Sequence, residues 1–236
     1  MSATVPARLL ALASEPYRPA GRFAFHFARG KLKGDPAFSA ILGLGLLHGR
    51  ASILDLGCGQ GLLAAWLAAA ARCWATGCWP AEWPPPPQAV RWHGIELMPR
   101  DVERARRALG SSVSVTLGDI RRVEFSPTDA VVVLDVLHYL SFEEQRMLLT
   151  RVRSALASSG LLLLRVGDRA GGLRFRFSRW VDRAALLARG HGLPPLNCRS
   201  IAQWRSLLQE CGFESESMPM SQGTPFANVM LIAHPR

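Results

Sequence analysis

Four short segments carry residue types that could do chemistry, and each ends an apolar run. The first is Ile53-Leu54-Asp55-Leu56-Gly57-Cys58-Gly59-Gln60-Gly61. Its glycines let backbone pass close to a ligand, and the helix that follows adds amide donors. A glycine-rich strand-to-helix turn serves dinucleotides as well as other adenosine ligands. Here the spacing is G-x-G-x-G, with Asp55 just before it. A diphosphate gains nothing from that carboxylate, whereas a cationic ligand with an amino group does. The second segment, Gly94-Ile95-Glu96-Leu97, puts an acid where both hydroxyls of a ribose can donate to it. The third, Leu117-Gly118-Asp119-Ile120, offers an acceptor for an adenine amino group. Arg121 and Arg122 offer Asp119 a plain ion pair instead. The fourth is Leu134-Asp135-Val136-Leu137-His138-Tyr139-Leu140. Asp55 and Asp135 could alternatively do no more than cap the segments that follow them.

The surrounding pattern predicts elements that bring these four segments together. Residues 4–50 read as helices broken at Pro16, Pro19 and Gly30. Apolar runs at 51–56, 89–95, 112–117, 130–134 and 161–166 read as buried strands. Helices are predicted at 60–71, from Pro99 to a stop at Gly110, after Ser141 and after Ser200. Ser141/Glu144 and Ser200/Gln203 are capping boxes. Segments 213–218 and 226–233 read as a closing antiparallel pair. The alternation predicts an α/β fold, a doubly wound Rossmann-like seven-stranded sheet with an antiparallel last strand. In such a sheet the strand ends carrying the four acids converge on one crevice. Trp66 and Trp204 fall on helix faces and are expected in the core. The division expected is a helical N-terminal cap over 1–50 and a main domain over 51–236, with a Trp/Pro-rich surface insertion at 72–88 and an Arg-rich cap insertion at 167–199.

Composition excludes several classes. With 236 residues, 49% apolar and 19% charged, the chain is neither disordered nor fibrous. Its longest apolar stretch, 61–71, suits a buried helix rather than a membrane span, and the run at 9–13 is too short for a signal peptide. The five cysteines lack framework spacing, so they are expected as reduced thiols in a cytoplasm, with no metal site. The net charge is +10, and its whole excess lies in residues 1–50 and 165–191, each +5. The second segment contributes Arg165, Arg169, Arg174, Arg176, Arg179, Arg183 and Arg189. Two separate basic segments suggest an anionic partner or substrate docking there, unless they are solvated helix faces.

In order, DLGCGQG, Glu96, Asp119 and the VLHYL segment resemble the motifs of class I S-adenosylmethionine-dependent methyltransferases. The resemblance covers about residues 50–166 by motif and 200–234 by topology. It implies S-adenosyl-L-methionine (SAM) as cofactor and S-adenosyl-L-homocysteine (SAH) as product. It assigns Asp55, Gly57 and Gly59 to the methionine end, Glu96 to the ribose and Asp119 to the adenine. Cys58, Gly61, Leu97 and Ile120 are their cofactor-binding neighbours, and Asp135 and His138 would border the transferred methyl. Arg29 is a further candidate, for the cofactor carboxylate. His138 is the first candidate general base, His26 the second, and Tyr17 joins His26 as a substrate-pocket candidate. The insertion at 72–88 departs from the family by lengthening the gap before Glu96.

There is no Asn/Asp-Pro-Pro-aromatic tetrad and no Pro-Cys after the fourth strand, which disfavours nucleic-acid base methylation. VLHYL looks like the small-molecule branch, and the stretch from Tyr17 to Lys31 is similar to methyltransferases of bacterial aryl-polyene and polyketide-type pathways. The implied acceptor is an O or C atom of an anionic small molecule, free or presented by an acidic acyl carrier protein. The alternatives are an RNA or protein methyltransferase using the basic cap, a non-catalytic cofactor-binding module, and a dinucleotide enzyme.

Overall fold

A computed structural model describes residues 5–88, 90–169, 196–222, 224 and 227–236. The strands are β1 (Ser52–Leu56), β2 (Arg91–Glu96), β3 (Ser114–Leu117), β4 (Thr128–Leu134), β5 (Leu156–Gly167), β6 (Phe213–Pro219) and β7 (Asn228–Pro235). The helices are α1 (Ala7–Ser14), α2 (Arg22–Gly34), α3 (Pro36–Gly43), α4 (Leu62–Ala75), α5 (Pro99–Leu109), α6 (Phe142–Ala155) and α7 (Ile201–Glu210). The strands form one seven-stranded sheet in the order β3-β2-β1-β4-β5-β7-β6. β1, β2 and β3 run parallel, while β7 runs antiparallel to both β5 and β6. This is the doubly wound Rossmann-like sheet with an antiparallel last strand. No helix among the described residues is long and apolar enough to cross a membrane.

Contacts group the chain into two compact units. One comprises Met1–Glu124 with Thr128–Ala130, the other Phe125–Pro127 with Val131–Arg236. In the first unit α4 fills the core with Leu63, Ala64, Trp66, Leu67 and Ala70. Trp66 is fully buried, and its indole N–H donates to the Phe38 carbonyl at 2.8 Å. In the second, Val131–Val133, Leu161–Leu164 and Leu231 form a β-branched and aliphatic core, with Trp204 of α7 inside it.

Several sequence expectations are corrected. α2 runs through Gly30 and stops at Gly34, because Pro36 holds Asp35 in extended backbone (φ −96°, ψ 113°). Asp35 then caps α3 by accepting from Ala37 N at 3.0 Å. β5 begins at Leu156, five residues before the apolar run that marks it, directly where α6 ends. Both capping boxes form as read. α4 extends into the 72–88 insertion, and Cys73 and Cys78 form a disulfide, so not all five thiols are reduced. The turn at Thr76–Gly77 (Gly77 φ 70°) doubles the chain back and brings these Cα atoms to 4.8 Å. The insertion lies largely at the surface, with Trp74 47% exposed, but Trp83 is 6% exposed against Gly43, and Trp79 donates to the Pro84 carbonyl. Of the Arg-rich cap, Arg174, Arg176, Arg179, Arg183 and Arg189 lie outside the described residues.

Gly94 on β2 is set opposite Asp55 on β1. Side chains two apart on a strand share a face, so Trp92 lies over Gly94. A Cβ there would meet the Trp92 ring at 2.3 Å and Cys58 Sγ at 2.5 Å. Gly94→Ala is expected to cost about 1–3 kcal/mol through overpacking, measured as a lowered urea midpoint at unchanged slope.

Candidate active site

The first cluster is built where β1, β2 and β3 end. After Leu56 the chain turns through Gly57 (φ 75°), Gly59 (φ 56°) and Gly61 (φ 74°), all left-handed and suited to glycine. Gly57 N and Cys58 N both donate to the Ile95 carbonyl, at 2.8 and 3.2 Å. Gly59 N donates to Glu96 Oε2 at 2.8 Å, and Gly61 N to the Cys58 carbonyl at 3.0 Å. Glu96 Oε1 accepts from Met98 N at 2.8 Å, and the Glu96 backbone carbonyl accepts from Gly118 N. The amides of Gly57, Cys58, Gly59 and Gly61 are thus bonded within the protein.

What faces the cluster is mainly acceptor. Asp55 is 4% exposed and Glu96 8%. Burial pushes the Asp55 carboxyl up to about 7; the nearby indole N–H of Trp92, outside hydrogen-bonding geometry, opposes the rise, and the charge of Glu96 adds to it. Gln60 is 3% exposed, and its Oε1 has no hydrogen-bond partner among the described residues. Burial, with the Asp55 and Glu96 charges, holds the Cys58 thiol in its protonated form. Tyr17, fully buried, donates to the Gln60 carbonyl at 2.9 Å. Burial, Cys58 and Asp55 push that phenol up, so it keeps its proton. Tyr17 therefore braces the glycine turn. At the ends of β2 and β3, Leu97 and Leu117 leave apolar side chains 56% and 49% exposed, with Ile120 buried nearby in sequence. Gln60 and Trp92 went unassigned in the sequence; a Gln inside a glycine turn is the one signal that marked either.

Asp119 is engaged by Arg121, whose Nε lies 2.9 Å from both carboxylate oxygens, and this pairing holds its carboxyl below the ordinary value. His26 and Arg29 lie on the exposed face of α2.

The second unit holds Asp135 and His138. Asp135 is the only non-glycine residue with positive φ (60°) among the described residues. Its carboxylate pairs with the Arg165 guanidinium, with Nε at 2.9 Å from Oδ1 and Nη2 on Oδ2. Arg165 is 1% exposed, so it is no part of a basic surface, contrary to its place in the Arg-rich run. His138 sits in a short 3-10 turn, Leu137–Tyr139. Burial holds its imidazole below the ordinary value against the pull of Asp135, leaving it neutral near pH 7. The turn is latched by Gln145, fully buried, whose Nε2 donates to the carbonyls of Leu137, Leu140 and Asn197. Asn197 N donates to the His138 carbonyl at 2.8 Å, and Arg199 Nε to Gln145 Oε1 at 2.8 Å. This latch has no sequence signature, since its members are 52 and 54 residues apart.

Two outcomes follow. The folded state holds the Asp55 proton more tightly than the unfolded chain, so stability falls as pH rises from about 4 to about 7 and levels above it. Asp55→Asn should remove that component, on the order of 4 kcal/mol between the two limits, read as the difference in urea midpoints between variant and wild type at each pH. Asp135→Asn leaves a buried guanidinium short of its counter-charge. It should cost on the order of 2 kcal/mol, less than a fully buried pair because Asp135 is 34% exposed, by the same measurement.

A family model for a methyltransferase domain matches residues 15–217. A carboxy-S-adenosyl-L-methionine synthase from Chromohalobacter salexigens is 34% identical over 140 residues, 55% of this chain. The chain spans about half of that relative's length, 47%. The magnesium protoporphyrin IX methyltransferase of Synechocystis PCC 6803, solved with bound SAH, aligns at TM-score 0.59 and 17% identity, covering 97% of this chain and 98% of that one. An O-methyltransferase from neocarzinostatin biosynthesis, solved with SAM and 2-hydroxy-5-methyl naphthoic acid, aligns at TM-score 0.60 and 18% identity, covering 95% of this chain and 60% of that one. The structural likenesses establish the fold, and the family model, which takes in most of the chain, establishes membership: the chain belongs to the methyltransferase-domain family.

Proposed function

We propose that this methyltransferase domain binds SAM and catalyses methyl transfer to an O or C acceptor of an anionic small molecule in secondary-metabolite biosynthesis. The observation that carries the cofactor reading is the lining of the glycine turn. Asp55 and Glu96 are buried at a turn whose Gly57, Cys58, Gly59 and Gly61 amides are already bonded, and the buried Gln60 Oε1 has no hydrogen-bond partner among the described residues. That lining suits an ammonium and ribose hydroxyls, and its two carboxylates repel a pyrophosphate. It argues against a dinucleotide.

Asp55 and Gln60 would accept from the ammonium of the methionine end. Glu96 keeps lone pairs for the ribose hydroxyls beyond its two amide contacts. Leu97, Leu117 and Ile120 supply apolar surface for the adenine, and Asp119 an acceptor beside it. When bound, SAM supplies a methyl group on a sulfonium. The protein's share is to hold and orient the reactants and to exclude water. A hydroxyl acceptor must lose a proton, and the neutral imidazole of His138, held by the Gln145 latch, is the candidate to take it. The acidic acceptor class is supported by the basic excess of the N-terminal segment, and the biosynthetic role by the likeness to an enzyme of neocarzinostatin biosynthesis.

Calorimetric titration with SAH tests the reading, with NAD in parallel. Wild type is expected to bind SAH at micromolar strength. Glu96→Gln, which keeps one acceptor for the turn, should weaken it about tenfold or more, about 1.4 kcal/mol upward. SAH at about 100-fold over its dissociation constant should stabilise wild type by about 2.7 kcal/mol. NAD binding without SAH binding would overturn the proposal. A second titration series covers pH: a cation recruits the ionised Asp55, so SAH affinity should rise as pH climbs through about 7, and Asp55→Asn should bind weakly with that dependence gone.

A further inference from the structure

α2 carries Arg22, His26, Arg29 and Lys33 at successive spacings of four, three and four residues. That spacing places all four on one stripe of the helix. All four are exposed, while the opposite face, Ala24, Ala28 and Leu32, is buried. α2 contains no acidic residue. Lys31, off the stripe, is paired with Asp35 at 2.7 Å, whereas Arg22, Arg29 and Lys33 have no acidic partner among the described residues. Phe23, 61% exposed, lies at the edge of the stripe.

We infer that this stripe docks an acidic carrier protein that presents the acceptor on a tether. The inference rests on the methyltransferase reading and deepens it by naming how the substrate arrives. From Arg22 to Lys33 the stripe extends about 16 Å at 1.5 Å per residue. A small anion engages one or two cations of such a row; Arg22, Arg29 and Lys33 in line match a polyanionic surface, such as an acidic helix with the same periodicity. A lipid surface is disfavoured because an interfacial helix buries its apolar face in the membrane, and that of α2 is already used inside the protein. Single-stranded RNA is disfavoured because it is held by stacking on open aromatic faces. The Phe23 ring is already stacked on Phe27, with centroids 5.8 Å apart, and carries the Arg104 guanidinium 4.6 Å from its centroid. Charge complementarity of this kind mainly steers encounter and sets register, so it is sensitive to salt.

The probe is a holo acyl carrier protein titrated into wild type and into the double variant Arg22→Glu/Lys33→Glu. Arg29 stays in place, so a change cannot be traced to the cofactor carboxylate. Wild type is expected to bind the carrier, with affinity falling about tenfold between about 50 and 300 mM salt. The variant should bind at least about tenfold more weakly at low salt, with a flattened salt dependence. SAH affinity, measured on both, should be equal and shows that the variant is folded. Equal carrier binding by the two proteins, or none by wild type, overturns the docking proposal. So does stripe-dependent binding of single-stranded RNA or of anionic vesicles in place of the carrier. Failure of wild type to bind SAH is read separately and counts against the methyltransferase reading instead.

Discussion

Two consecutive residues at the end of β2 hold the first unit's site together. The Ile95 carbonyl, the Glu96 carbonyl and the two Glu96 carboxylate oxygens take five backbone amides, from Gly57, Cys58, Gly59, Met98 and Gly118. Buried amides must find acceptors. Within the glycine turn Gly61 N has its acceptor, the Cys58 carbonyl; Gly57, Cys58 and Gly59 lean on the neighbouring strand. The parallel register of β1 and β2, with Leu56 beside Ile95, puts those acceptors in reach. Gly94 allows the close approach, since any side chain there would displace Trp92 and Cys58.

The chemistry of the site follows from that constraint. The Gly57, Cys58 and Gly59 amides are spent on Ile95 and Glu96, and two buried carboxylates stand beside them. Asp55 then sits buried beside Glu96 with no cation among the described residues to neutralise it, and its affinity for a proton rises. A site in this condition gains most from a ligand bearing positive charge and hydroxyl donors. The second unit meets the opposite demand. Arg165 is a buried cation within an aliphatic strand, and a buried charge needs a partner. Asp135 supplies it from a left-handed conformation, a local strain that the ion pair and the Asp135 N–H bond to the Arg165 carbonyl together hold in place.

Much of the fold was legible along the chain. β-branched and Leu runs marked the strands, the serine capping boxes marked two helix starts, and Pro99 and Gly110 bounded a third helix. These signals are local, and so they survive in the sequence. The misreadings share a cause. Gly30 reads as a breaker because its cost in a helix is local and visible, while the tertiary burial of Ala24, Ala28 and Leu32 that outweighs it is not. Arg165 counts with its basic neighbours because net charge is summed along the chain without regard to burial. Cys73 and Cys78 read as separate thiols because the turn that joins them depends on where α4 ends.

The sequence by itself determined the class of sheet, the order of its elements and the four strand-end acids, because each rests on patterns within a few residues. Tertiary structure decided what those acids do when no ligand is named. Glu96 clasps the glycine turn, Asp119 holds Arg121, Asp135 holds Arg165, and Asp55 is left buried with no paired cation among the described residues. Proton affinity, pairing and available lone pairs depend on burial and on partners dozens of residues away. Only the folded chain brings those together.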